Sequence, residues 1–275
     1  MSVPPWLTAT FGTLGPVCRL ALSTRGSGAL TQDDVRFALD KGVNFLNWCG
    51  APDGLSAVIA HLGSRRRSVV ICVQFEARTA GEAERELAGV LETLGTDHVD
   101  ILTFYYVEAE SEWQQIIGAG GALEYCRRAK DKGVVRMLGL TSHQRGLAAA
   151  WAQSGLLDML MIRYNAAHRG AETDVFPVST ALGMPVVAYT ALRWGALLRP
   201  TKADPPGFAV PPAPAWYRFA LQNPAATVVL MAPENRKELE EDLEVLETGE
   251  KLGPDEYERL AEHGRRVRQF AGSFP

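Results

Sequence analysis

The 275-residue chain has no apolar run approaching the ~18–20 residues that a bilayer-spanning helix needs, so a membrane-embedded class is excluded. Its opening segment, MSVPPWLTAT, has no basic stretch ahead of an apolar one, and no secretory leader is expected. Cysteine is scarce: Cys18, Cys49, Cys72 and Cys126 are widely spaced and form no CxxC pair, which fits reduced thiols in a cytoplasmic protein. The five histidines show no HxH or HExxH spacing, and no carboxylate cluster falls at one strand end, so no metal site is expected. Charge of one sign is also lacking. A net charge of −4 provides no global attraction to nucleic acid or to an anionic membrane. The first strand–helix turn, STRGSG, lacks GxGxxG spacing, which disfavours a doubly wound dinucleotide fold.

The chain does contain a repeat of apolar strand-length runs, each followed by a helical stretch. VCRLALS is followed by a helix capped at Thr31, with Asp33 and Asp34 at its positive end. VNFLNW, SVVICVQF, HVDILTFYY, VVRMLGLTS, LDMLMIRYN, MPVVAYTAL and TVVLMA continue the series, and a last helix spans Pro254 to Phe270. Near-continuous Val, Ile and Leu runs suit a parallel sheet buried on both faces. Eight βα units in this length predict an α/β fold, a (β/α)8 TIM barrel with a C-terminal helix, in one domain over residues 1–275. The segment 199–214, RPTKADPPGFAVPPAP, is expected to be irregular and to act either as a lid or as a stiff surface loop.

Several stretches resemble the aldo-keto reductase superfamily: KGVNFLNWCG, LETLGTDHVDILTFYY, KGVVRMLGLTSH, IRYNAAHR and VVAYTALRWGALL, in family order and spacing. The resemblance implies an NAD(P)H-dependent carbonyl oxidoreductase using an Asp–Tyr–Lys–His tetrad. The lysine and aspartate would lower the tyrosine pKa, since a phenol near pKa ~10 is a poor acid at neutral pH. The aspartate position reads Asn47, the tyrosine position falls at Pro52 or Asp53, the lysine position reads Gln74, and the histidine position reads Tyr105. Losing both charges of an ion pair keeps a buried site neutral, whereas losing one strands a charge. The pattern is that of a repurposed site.

By the same resemblance the nicotinamide contacts fall on Thr141, Ser142 and Met161, with Tyr189 at the stacking position and Asn235 in the cofactor segment after the last strand. The resemblance implies NADP or NAD as cofactor. Glu234, Glu238 and Asp242 oppose an adenosine 2′-phosphate, with Arg236 and Lys237 the available cations, so NAD or no nicotinamide cofactor at all stay open.

Barrels carry function at strand C-termini. Those ends supply Asn47, Gln74, Tyr105 and His143 as candidate catalytic groups, with His143 the candidate acid or base. Candidate substrate-binding groups are Arg25, Trp48, Tyr106, Arg163, Asn165 and Arg193, with Trp194 a further pocket aromatic. The bland readings are rim ion pairs for the arginines, a capping role for His143 and packing for Tyr105 and the tryptophans. Cys49 and Cys72 read as core thiols. The arginines predict a small-molecule partner that is anionic, and no nucleic-acid or membrane partner is expected. Three functions remain: a reductase with an altered proton donor, a lyase or isomerase acting on an anion, or a catalytically silent binding barrel.

Overall fold

The computed structural model describes residues 3–24, 30–248 and 250–270. Eight parallel strands close a barrel: β3 Leu20–Ser23, β4 Phe45–Trp48, β5 Val70–Phe75, β6 Val99–Phe104, β7 Val135–Ser142, β8 Met159–Arg163, β9 Val186–Tyr189 and β10 Val228–Met231, with β10 pairing back onto β3. Ahead of them, β1 Thr8–Thr10 and β2 Pro16–Cys18 form an antiparallel hairpin. The run VCRLALS therefore divides between the hairpin and the barrel, instead of forming one strand.

Around the barrel lie α1 Gln32–Asp40, α2 Gly54–Ile59, α3 Ala80–Leu94, α4 Glu110–Ile117, α5 Ala122–Asp131, α6 Arg145–Ala152, α7 Ala171–Asp174, α8 Phe176–Ala181, α9 Ala213–Gln222, α10 Arg236–Thr248 and α11 Pro254–Phe270. Their starts are written locally. The Thr31 hydroxyl accepts from the Asp34 amide while the Asp34 carboxylate accepts from the Thr31 amide, and Thr79 with Glu82 repeats this box at α3. Gly95, at φ 56°, ends α3 in the left-handed region that glycine adopts without penalty.

Strand side chains alternate between two layers. One set, including Phe45, Cys72, Ile101, Met137, Met159, Met161 and Val187, fills the barrel. The other set, including Leu46, Ile71, Leu102, Leu138 and Ile162, packs under the helices. The hairpin closes the lower mouth, where Phe11 packs on Phe45 with ring centroids 5.3 Å apart. Gly139 of β7 is fixed by this packing, because a Cβ there would overlap the Met159 sulfur.

The segment 199–214 has little regular structure, though Pro214 lies in the first turn of α9. It is tied down. Asp204 accepts from Arg266 at 2.7 Å and pairs with His263 at 3.0 Å, Phe208 stacks on His263, and the Trp216 indole donates to the Pro211 carbonyl. All four cysteines are free, and burial pushes Cys18 to about 11 and Cys72 to about 12. Among the described residues, no helix is long and apolar enough to cross a membrane.

Candidate functional site

The C-terminal ends of the strands surround a cavity of about 660 Å³. Seven of the eight strands contribute to its wall or floor: Ser23 from β3, Asn47 from β4, Gln74 from β5, Thr141 from β7, Met161 from β8, Tyr189 from β9 and Leu230 from β10, with Tyr105 and Tyr106 just past β6. These are inward-facing positions of neighbouring strands, so closing the barrel is what brings them together.

The floor is polar and neutral. The Asn47 amide nitrogen donates to the Ser23 hydroxyl at 2.9 Å and to the Cys49 sulfur at 3.5 Å. Its carbonyl oxygen Oδ1 is buried and finds no hydrogen-bond partner among the described residues. Thr141 Oγ1, on β7, and Thr24 Oγ1, just past β3, are in the same condition. Buried polar atoms are almost always satisfied, so three partnerless oxygens on residues lining one cavity leave hydrogen-bonding capacity there that another molecule can take up.

The upper wall is aromatic. Tyr105 and Tyr106 lie with ring centroids 3.9 Å apart, and Tyr106 stacks on His143 at 4.5 Å. Burial pushes the Tyr105 phenol above its ordinary range, and the neighbouring Tyr106 adds to the shift. Tyr189 is raised as well, chiefly by burial. Its hydroxyl donates to the Ser142 carbonyl at 3.5 Å.

The backbone at the mouth is strained. Among the described residues, the positive-φ residues other than glycine are Tyr106 (42°), Thr190 (57°), Arg193 (49°) and Trp194 (55°), all in the loops after β6 and β9. Such conformations cost roughly 1–3 kcal/mol each and persist only when the surroundings hold them. Arg78 holds one loop by donating to the carbonyls of Tyr105 at 2.8 Å and Tyr106 at 3.3 Å. Asn165 holds the other by donating to the Thr190 carbonyl at 2.8 Å.

The sequence candidates separate into two groups. Asn47, Gln74, Tyr105, Tyr106, Thr141 and Tyr189 meet on the cavity wall, and Trp194 stands at its mouth, 61% exposed. The others lie elsewhere. Trp48 points the opposite way from Asn47, into the layer beneath the helices, and its indole donates to the Ala51 carbonyl. The Asn165 side-chain oxygen is taken up by the amides of Ala167 and His168 in the turn after β8, which makes it a positioning residue. Ser142 Oγ accepts from the Gln144 amide, and Asn235 caps α10 by accepting from the Glu238 amide at 3.0 Å. Asp53 is likewise a helix cap, for α2. His143 sits behind Tyr106, 3.3 Å from Glu108; burial holds its pKa below the ordinary value, with Glu108 opposing and Arg163 assisting.

Arg163 and Arg193 are not on the cavity wall, and Glu172, a conceivable partner for them, is taken by Arg169 and Tyr164. Burial first, then the field of Arg163, Arg193, Arg268 and Arg145, lowers the neighbouring His168 to about 4. Arg25 lies outside the described residues. The sequence reading missed Ser23, Tyr217 and Glu86 as wall residues, and Cys49 lines the cavity where a core thiol was expected. Ser23 was findable as the inward-facing last residue of its strand. Tyr217 and Glu86 come from helices, whose contribution to a barrel mouth has no strand-end signal.

A curated relative, the uncharacterized oxidoreductase YrpG of Bacillus subtilis (strain 168), is 25% identical over a 219-residue alignment that covers 66% of this chain and 64% of the relative's length. Solved structures share the fold. An aldo/keto reductase from Klebsiella pneumoniae in complex with NADP and acetate superimposes with a TM-score of 0.77 at 18% identity, covering 94% of this chain and 95% of that one. The aldo-keto reductase AKR11C1 from Bacillus halodurans, in its holo form, gives 0.75 at 15% identity, covering 93% and 95%. The aldo/keto reductase family model matches residues 23–265, from the last residue of β3 through the other seven barrel strands, and the chain belongs to that family.

Proposed function

We propose that this protein is a nicotinamide-dependent oxidoreductase of altered mechanism, acting on a small carbonyl compound in the strand-end cavity. One observation carries the reading: buried oxygens without partners among the described residues, Asn47 Oδ1, Thr141 Oγ1 and Thr24 Oγ1, belong to residues lining one cavity with the Tyr189 ring. Thr141 and Tyr189 are the groups suited to a nicotinamide, one by hydrogen bonding to its amide and the other by offering a ring face.

The adenosine end favours a cofactor without a 2′-phosphate. Arg236 is engaged with Asp34 at 3.4 Å and Glu240 at 2.8 Å and packs over the Phe37 ring, while Glu238 closes the turn at Glu234 and Asn235. A carboxylate near a phosphate dianion is repulsive by roughly 1 kcal/mol or more. NADH is therefore the expected partner over NADPH.

A bound reduced nicotinamide supplies a hydride to a carbonyl carbon; the proton that completes the alcohol has to come from the protein or from water. Asn47 and Gln74 carry no charge, so nothing beside Tyr105 lowers its pKa, and burial moves it the other way. Tyr105 holds its proton across the neutral range and serves better as a hydrogen-bond donor to a carbonyl oxygen than as an acid. Turnover is accordingly slow. His143 and Glu108 position Tyr106 from behind the wall.

A second reading, ligand binding without redox turnover, draws on the same upward-shifted phenol. Titration calorimetry with NADH and NADPH, followed by nicotinamide absorbance over a panel of aldehydes and ketones, separates the two. Micromolar NADH binding with measurable oxidation supports the oxidoreductase; binding without oxidation supports the second reading. Absence of binding by either nucleotide at millimolar concentration overturns both the cofactor assignment and the oxidoreductase.

A further inference from the structure

Of the four cysteines, Cys49 is the one that reaches the strand-end cavity. Cys18, Cys72 and Cys126 are buried, whereas Cys49, the residue after β4, keeps part of its surface exposed and lines the wall. The Asn47 amide nitrogen donates to its sulfur at 3.5 Å, and the Ser23 hydroxyl lies 3.7 Å from it. Asn47 itself is 1% exposed. Its nitrogen is engaged with Ser23 and Cys49, and its Oδ1 has no partner among the described residues. The nicotinamide reading draws on Thr141 and Tyr189 and leaves this oxygen unused. An amide oxygen only accepts, so whatever satisfies it has to bring an N–H or O–H group to a place beside a thiol.

Burial raises the Cys49 pKa, with the Ser23 contact opposing and the Asp53 carboxylate assisting, so the sulfur is a neutral thiol near pH ~7. A reaction that leaves a charge on this floor is disfavoured. Addition of the thiol to an aldehyde is not such a reaction, because thiol, aldehyde and hemithioacetal are all neutral. The addition also creates the missing donor, a hydroxyl on the carbon that sulfur has joined. Nitrogen and oxygen are separated by a single carbon in the Asn47 amide, as sulfur and oxygen are in the adduct. The two groups match in spacing, with the amide N–H serving the sulfur and Oδ1 accepting from the new hydroxyl.

We infer that Cys49 and Asn47 form a covalent capture site for small aldehydes. A sulfur electron pair forms the S–C bond, the carbonyl π pair moves onto oxygen, and the thiol proton ends on that oxygen. Nothing is oxidised or reduced, no group leaves, and release is the reverse of capture. Ketones, whose second carbon substituent crowds the tetrahedral adduct, stay free. The inference goes beyond the proposed function, since capture needs no nucleotide. It separates the two carbonyl classes within one cavity: an aldehyde is held at Cys49 as a tetrahedral carbon that accepts no hydride, and a ketone keeps its carbonyl.

The test uses the full chain without nucleotide, in a buffer free of amines and thiols. Acetaldehyde and acetone, each labelled with carbon-13 at the carbonyl, are followed by carbon NMR. Acetaldehyde is expected to give a new tetrahedral carbon resonance, distinct from that of its hydrate and saturating at one per chain, and acetone none. Cys49→Ser is expected to abolish the resonance although Cys18, Cys72 and Cys126 remain. Asn47→Ala is expected to weaken capture severalfold, with circular dichroism checking that the barrel is folded. Absence of the resonance at tens of millimolar acetaldehyde, its survival in Cys49→Ser, an equal resonance from acetone, or undiminished capture by folded Asn47→Ala each overturns the inference. Titration of the same preparation with NADH keeps the two proposals apart. Capture without NADH binding leaves the aldehyde site and removes the oxidoreductase, and NADH binding without capture does the reverse.

Discussion

At the lower mouth of the barrel the Arg19 guanidinium, which is buried, donates to the carbonyls of Trp6, Asn223, Ala226 and Thr227. Nearby strands follow the same rule. Buried Asp100, at the start of β6, pairs with Arg66 at 2.8 Å and Arg136 at 2.9 Å and accepts from the Ile71 amide. Asp158, just before β8, takes Lys130 and the Leu138 amide. At the upper mouth β4, β5, β7 and β9 present Asn47, Gln74, Thr141 and Tyr189, without formal charge, with three buried oxygens of lining residues lacking a partner among the described residues and four strained backbone positions nearby. One end spends its polar groups on holding the barrel closed; the other keeps them for a ligand. Stability and binding should therefore respond to different substitutions.

The largest expected effect is at the lower mouth. Asp100→Ala removes the shared partner of two guanidiniums and an acceptor for a buried amide, and breaking a buried ionic cluster from one side costs about 3–5 kcal/mol. Urea denaturation should show that loss, while NADH affinity of the folded fraction stays within twofold of the parent. A variant as stable as the parent would break the comparison at its stronger end.

Asp204 asks whether the contrast belongs to the face or to how fully a carboxylate is engaged, because its oxygens take the Thr201 amide, His263 and Arg266 yet it follows β9 on the upper side. Burial works to raise its pKa, but the Thr201 amide, Arg266 and His263 overcome that and hold its carboxyl at about 2. An Asp in the unfolded chain titrates near ~3.9, so the stabilisation is complete above that value and is lost as pH falls toward about 2. Asp204→Asn should cost about 1–2 kcal/mol near neutral pH and flatten the acid limb of stability between pH ~4 and ~2. An unchanged acid limb would show that Asp204 does not carry it.

Much of this was legible in the residues. Parallel strands buried on both faces have to be apolar runs, and a (β/α)8 barrel leaves eight of them, so the order of strands and helices followed directly. The hairpin of β1 and β2 was not legible, since three-residue strands have no pattern to detect. Helix α4 was missed because its N-cap is Ala109, whose side chain caps nothing, and Glu112 supplies the reverse half of the cap. In the site, Asn47, Gln74, Tyr105, Thr141 and Tyr189 came from family spacing at strand ends. Trp48 is adjacent to Asn47 and so faces the other layer, a consequence of the two-residue period that strand-end position alone ignores. Asn165, Asn235 and Ser142 are polar residues beside turns, and such residues are readily consumed by the local backbone, as these are. Only coordinates distinguish that use from ligand binding.

The smallest change tests the central claim most directly. Thr141→Val keeps the shape of a buried β-branched side chain and deletes one hydroxyl that makes no hydrogen bond among the described residues. Removing a satisfied buried hydroxyl costs stability, but an unsatisfied one is already a burden of about 1–3 kcal/mol, part of which its removal returns. Thr141→Val should therefore leave the urea midpoint unchanged or raise stability by up to ~1 kcal/mol. If the oxygen is kept for a ligand amide, the same variant loses several-fold in NADH affinity, and the two measurements move in opposite directions. Loss of stability with unaltered NADH binding would mean that the Thr141 hydroxyl is structural, and that the upper mouth is held together in the same way as the lower one.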